Sequence, residues 1–157
     1  MTLGHSLLPS FAATVIFTGI EAGSQAMRLT RMSLPYLLGT IFTPAREKAK
    51  LLGFLLHLLN GQIFAFVYMA LFDRLGGGGI VRGLVLGCCH AFVVLTVVLP
   101  LMPGLHPRMA SEHSGPMVTR PLEPPGPFGL NYGFATPVFV VLGHAVFGAL
   151  LGYLYAP

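Results

Sequence analysis

Long apolar stretches with almost no charge constrain this chain more than any other feature. Charged residues make up only 9% of the 157 residues, whereas a soluble domain usually carries about 25%. So few charges cannot cover a water-exposed surface. A segment in lipid must satisfy its own backbone N–H and C=O groups, so each apolar stretch of about 20 residues predicts a transmembrane helix. The sequence therefore predicts an all-α integral membrane protein.

Four such stretches predict an antiparallel four-helix bundle that forms a single transmembrane domain over residues 1–157. The predicted spans are residues 7–27, 49–72, 80–102 and 136–155. Residues 33–42, broken by Pro35, are too short to cross and predict a short interfacial helix or a segment folded back onto the bundle. Residues 103–135 are rich in Pro and Gly and predict a long loop outside the hydrocarbon, just before the last helix.

The basic residues predict the orientation of the bundle. Most of them lie in the first and third connections, namely Arg28, Arg31, Arg46, Lys48, Lys50, Arg108 and Arg120. Because cytoplasmic loops are enriched in Lys and Arg, we expect both termini to lie outside the cytoplasm. These residues separate apolar spans and form no continuous solvated surface, so the expected partner is the lipid bilayer and nucleic acid is not expected.

Two rows of glycine predict where helices pack closely. Gly79, Gly83 and Gly87 recur every four residues at and within the third span, and Gly148 and Gly152 do so on the fourth. Small residues let two helix backbones approach each other in a membrane. Packing within the chain is the favoured interpretation, and docking against a helix of a partner subunit is the alternative.

Glu21, His57, His90 and His144 are ionisable residues that lie well inside the predicted spans. With a rise of about 1.5 Å per residue they reach similar depths, one from each helix. Such residues usually face the interior of a membrane bundle. Together with Asn60 on the second span, they predict a single interior polar cluster.

Three interpretations of this cluster remain open. In the first, neutral histidines and a protonated Glu21 form hydrogen bonds that fix the helix register. In the second, two of His57, His90 and His144 bind a haem, or Glu21, His57 and His144 bind a transition metal. In the third, Glu21 begins a proton or ion relay. The histidines lack HxxxH or ExxH ligand spacing, and no pair of broken half-helices indicates a transport site.

Two segments carry a resemblance to known proteins. The first is His57-Leu-Leu-Asn-Gly61 with residues 64–68, and the second is Gly143-His144 with residues 145–153. They resemble a family of small uncharacterised bacterial inner-membrane proteins with four predicted spans. The resemblance implies the fold and the bacterial inner (cytoplasmic) membrane, and it assigns no activity.

The function expected from the sequence rests largely on missing motifs. The chain has no GxSxG, Walker, dinucleotide-binding or HExxH motif and no paired carboxylates. We therefore expect a non-enzymatic multi-pass membrane protein, with an accessory or structural subunit of a larger membrane complex as the leading role. The alternatives are a haem- or metal-binding redox protein that uses the intramembrane histidines, and a small proton-linked transporter.

Overall fold

The protein is helical in the computed structural model, which describes the backbone of residues 3–155 and the side chains of residues 8–155. Helix accounts for 72% of the structure, and the described residues form no strand, which confirms the all-α prediction. The helices are α1 (Leu3–Ala26), α2 (Leu34–Thr40), α3 (Arg46–Arg74), α4 (Ile80–Val93), α5 (Leu99–Leu105) and α6 (Thr136–Leu154). A π-helical turn, Val94–Val98, joins α4 to α5, and a 3-10 helix covers Pro127–Tyr132.

Three helices in the described part of the chain are long and apolar enough to cross a membrane: α3, α6 and the continuous helix Ile80–Leu105. They support a membrane protein. The first predicted span falls on α1, which is as long as its neighbours but carries Ser10, Thr14, Glu21 and Ser24 among its buried residues.

Helix α1 runs antiparallel to both α3 and α6. Ser10 of α1 donates a hydrogen bond to Gln62 of α3 (2.6 Å), whereas Phe17, further along α1, contacts the earlier residue His57. At the other end of α1, Thr30 in the following loop contacts Thr136 at the start of α6, with 2.6 Å between the hydroxyl oxygens. Helix α1 therefore lies against both α3 and α6.

Helix α2 folds back onto α3, and its backbone touches α3 directly. A Cβ atom on Gly39 would lie 1.8 Å from the carbonyl oxygen of Ala49, and one on Gly53 would lie 1.6 Å from that of Pro35. Both ends of α2 are held by hydrogen bonds to side chains. Glu21 accepts a hydrogen bond from the Leu34 amide (2.6 Å), and Arg108 donates to the Thr40 carbonyl (2.6 Å).

The long connection before α6 folds against the ends of the helices. Met109 is fully buried in an apolar cluster with Leu37, Leu99 and Tyr132. The Tyr132 hydroxyl donates to the Glu123 carbonyl (2.6 Å). Burial, with a smaller effect of the nearby Glu123 carboxylate, raises the pKa of Tyr132 to about 12. The connection thus lies over the same ends of the long helices as α2.

Candidate functional site

A pocket of about 290 Å³ lies between the helices, and three histidines line it. Its walls come from α1, α2, α3, the continuous helix Ile80–Leu105 and α6, and they are mostly apolar. The polar groups among its lining residues are Thr14, His57, Asn60, His90 and His144. We call this space the histidine pocket.

His57 on α3 is buried with unused hydrogen-bonding capacity. Its side chain is 3% exposed, and neither ring nitrogen has a partner among the residues that the structure describes. The edge of the ring contacts Phe17 of α1, with 5.5 Å between the ring centroids. An imidazole always offers at least one N–H donor, and the neutral ring also offers one acceptor, so a buried His57 lacks the partners it would have in water.

His144 on α6 has a defined tautomer. Its Nδ1 lies 2.8 Å from the carbonyl oxygen of Val140, one turn earlier. A carbonyl only accepts, so Nδ1 carries the hydrogen and Nε2 of the neutral ring holds a lone pair. The ring lies edge-on to Phe17 (4.7 Å between centroids) and to His90 (4.6 Å).

His90, on α4, packs between aromatic rings. Its ring centroid is 4.2 Å from that of Phe64, and its Nδ1 is 3.4 Å from the Tyr68 hydroxyl oxygen. These contacts join α3 to α4, two helices that contact each other little.

Glu21 does not line the histidine pocket. It lines a second cavity of about 20 Å³ together with Phe17 and His144, which also line the histidine pocket. One carboxylate oxygen accepts from the Leu34 amide, and the other has no partner within residues 8–155. The structure thus brings His57, Asn60, His90 and His144 to one pocket, whereas Glu21 shares the smaller cavity with His144 and bonds to the beginning of α2.

The ring geometry of His90 and His144 does not match a pair of axial haem ligands. Two axial nitrogens of a haem iron lie about 4 Å apart, with the ring centres farther apart still, because metal–nitrogen bonds measure about 2.0–2.1 Å. The centroids of His90 and His144 are only 4.6 Å apart, with the rings in direct contact. No group of three or more His, Cys, Asp or Glu residues in the described chain could hold a metal ion, so Glu21, His57 and His144 form no such group.

The two glycine rows lie against each other. A Cβ atom on Gly83 would lie 2.0 Å from the carbonyl oxygen of Gly148, and one on Gly152 would lie 2.3 Å from that of Gly79. Gly87 approaches the His144 backbone in the same way. We call this contact between α4 and α6 the glycine seam (Gly79, Gly83, Gly87, Gly148 and Gly152). It fixes the backbone that carries both His90 and His144.

Some residues of the site carry no sequence signal. The π-helical turn at Val94–Val98 contributes two valines to the pocket wall, yet Val-Leu-Thr-Val-Val reads as ordinary apolar helix. Phe17 contacts two of the histidines, and nothing in its sequence context distinguishes it from other apolar residues. Thr14 had a weak signal, since it is a hydroxyl side chain one helical turn from Ser10 on the polar side of α1.

No protein-family model, curated protein or solved structure matches this chain. Its function therefore has to be inferred from the geometry of the site itself.

Proposed function

We propose that this chain is a non-enzymatic, four-span membrane protein that binds a small uncharged molecule in the histidine pocket. In this proposal α1 also crosses the membrane. The antiparallel bundle then consists of four spans, namely α1, α3, the continuous helix Ile80–Leu105 and α6. The observation that carries the proposal is His57, whose two ring nitrogens are buried beside an open pocket without a partner.

An unsatisfied polar group in a protein interior is expensive. Leaving a buried donor or acceptor without a hydrogen bond costs about 1–3 kcal/mol. Such groups are uncommon in folded proteins and call for a specific reason. A ligand that fills the pocket and bonds to His57 would supply the missing partner.

The π-helical turn is a second feature that supports a binding site. Single π turns inside α-helices occur often at functional sites, since they change the direction of the side chains that follow. Here the turn lies where the helix passes the pocket, and Val94 and Val98 both line the wall.

The outer surface of the helices suits a bilayer. Large apolar side chains are exposed along α3, including Leu55 (54%), Leu59 (57%) and Ile63 (53%), and Phe92 on α4 is 65% exposed. Such a surface is stable in lipid and unstable in water. A ligand of this pocket would then reach it from the hydrocarbon.

The membrane and the orientation are part of the proposal. We propose the bacterial inner membrane, with both termini outside the cytoplasm and with α2 and the long connection on the cytoplasmic side. Fusing alkaline phosphatase, which is active only outside the cytoplasm, to the carboxyl terminus should give an active enzyme, and a fluorescent protein fused there should stay dark. The reverse pattern would refute the orientation and leave the pocket proposal unaffected.

Co-purification tests the binding function. The unaltered protein and two variants, Val98→Phe and Val97→Phe, are extracted from membranes, and the small molecules bound to each are identified by mass spectrometry. Val98 lines the pocket, whereas the adjacent Val97 is 48% exposed and does not. We expect one compound to accompany the unaltered protein and Val97→Phe and to be lost from Val98→Phe. Equal recovery of every compound with all three proteins would refute the proposal.

An accessory role in a larger membrane complex is the second candidate. One observation favours it: Gly19 and Gly23 on α1 have no neighbouring atom within 4 Å of an added Cβ, in contrast to the glycine seam. A partner helix could approach α1 there. Mild extraction at native expression level should then recover a partner that Gly19→Leu releases, and a chain that migrates alone would count against this role.

A further inference from the structure

We propose, resting on the function above, that the occupant of the histidine pocket is a lipid-soluble molecule with a flat, hydroxyl-bearing ring, of the kind found in a quinol. The inference depends on the hydrogen-bonding groups that the pocket offers, the shape of its walls and the place where it opens.

The hydrogen-bonding groups favour a donor on the ligand. His144 uses its Nδ1–H on the Val140 carbonyl, so its Nε2 can only accept while the ring is neutral. A charged imidazole without a counter-charge would be costly inside a membrane protein, which favours that neutral state. His57 offers a donor and an acceptor. A ligand that carries hydroxyl groups can satisfy both rings, whereas one that carries only carbonyl oxygens can bond to His57 but not to His144.

The walls favour a flat ring. Phe17, Phe64 and Phe147 all line the pocket, and Phe17 holds two of the histidines by edge-to-face contacts. Aromatic pairs prefer such edge-to-face or offset arrangements, which a planar ligand can join. No carboxylate, Lys or Arg belongs to the lining of this pocket, so a charged head group would find no counter-ion there.

The size of the pocket and the position of its opening indicate a ligand whose apolar tail lies in the lipid. The volume of about 290 Å³ lies at the lower end of the range for small-molecule sites, enough for a substituted ring. Val93 and Val98 line the pocket and are nevertheless 48% and 45% exposed, so the pocket opens at the outer surface beside them. An apolar tail could leave there into the hydrocarbon.

A ligand series on the unaltered protein tests the chemistry without risk to the fold. The purified protein in lipid nanodiscs is titrated with three short-tailed probes: a ubiquinol, the same compound with both hydroxyls methylated, and the corresponding ubiquinone. The methylated compound keeps the ring and the tail but cannot donate. We expect the dissociation constant of the quinol to be about tenfold lower than that of either other probe, as for the loss of one buried hydrogen bond.

Two variants connect that preference to the pocket. Val98→Phe should abolish binding of all three probes, whereas Val97→Phe should bind them as the unaltered protein does. Equal affinity for the quinol and its methylated form, or a preference for the quinone, would overturn the ligand class. It would leave the proposed function standing as long as Val98→Phe still blocked binding. Probe binding that survives Val98→Phe, or no binding of any probe, would also overturn this inference. The co-purification experiment would then test separately whether the pocket binds a small molecule.

Discussion

The two sides of α4 differ in how they are packed. Towards α6, Gly83 and Gly87 bring two backbones into direct contact, with no space for even one additional carbon atom. Towards α3, His90 and the valines of the π turn border a pocket of about 290 Å³. One helix thus has a tightly closed side and an open one.

The difference shows how this small protein can combine rigidity with a cavity. Apolar burial does not drive helices together in lipid, so close backbone packing has to supply much of the stability. The glycine seam provides such packing and fixes α4 on α6. The opposite side can then keep unpartnered polar groups, such as the nitrogens of His57, at a cost that the seam offsets.

The largest effect should come from filling the glycine seam. Gly83→Ala places a carbon 2.0 Å from the Gly148 carbonyl oxygen, a backbone atom that cannot turn aside. We expect a loss of about 3 kcal/mol in the free energy of unfolding, measured by denaturant titration in detergent micelles. Gly19→Ala is the matched control, because nothing lies within 4 Å of its added carbon. If both variants lost a similar free energy of unfolding, the close packing of α4 on α6 at the glycine seam would be refuted.

Removing the carboxylate that holds α2 should have the next largest effect. Glu21→Ala takes away the acceptor of the Leu34 amide, and loss of such a contact at a helix start costs about 1–2 kcal/mol. Glu21→Gln keeps a side-chain oxygen and should retain most of the stability. If Gln were as damaging as Ala in the same denaturant titration, the charge of Glu21 and not its hydrogen bond to α2 would be the important property.

A smaller effect of opposite sign is expected in the pocket. His57→Leu removes two buried nitrogens that have no partner, so the unliganded protein should become more stable by about 1 kcal/mol. The same variant should lose the compound that co-purifies with the unaltered protein. A variant that is less stable, yet still carries the compound, would mean that His57 belongs to the structural core and does not serve the pocket.

The last effect appears only at alkaline pH and concerns the connection that covers the ends of the helices. Tyr132 has its pKa raised to about 12, mainly by burial, whereas an unfolded tyrosine has a pKa of about 10. The folded state therefore holds this proton more tightly, and its contribution to stability is complete below about pH 10 and is lost as the pH rises towards 12. Thermal unfolding should show a decline over this interval that is shallower in Tyr132→Phe. If the two proteins lost stability identically over this pH interval, a group other than Tyr132 would be responsible for the decline.

Much of the fold could be predicted because its cause is local. A stretch with almost no charge, such as residues 136–155, has to satisfy its backbone within itself, and the helix Thr136–Leu154 lies within two residues of that expectation. The all-helical class and the membrane character follow from the same reasoning. The ends of the helices were predicted less accurately. The third apolar helix was expected to end at residue 102, but it continues through Pro103 to Leu105.

The site could be anticipated only as a set of residues at similar depth. Depth follows from helical rise, but the rotation of each helix depends on which residues pack against its neighbours. Glu21 illustrates the difference. Helical rise predicts it at the depth of the histidines, yet it lines the smaller cavity with His144 and not the histidine pocket, and its side chain bonds to the start of α2.

The sequence by itself determined that this chain forms long apolar helices, because backbone hydrogen bonding in lipid leaves little other choice. Tertiary structure decided that the two glycine rows meet, that α2 folds back onto α3, and that His57 is left unpartnered beside a pocket. Those outcomes depend on contacts between residues far apart in the chain, such as Gly83 with Gly148, which no local pattern specifies.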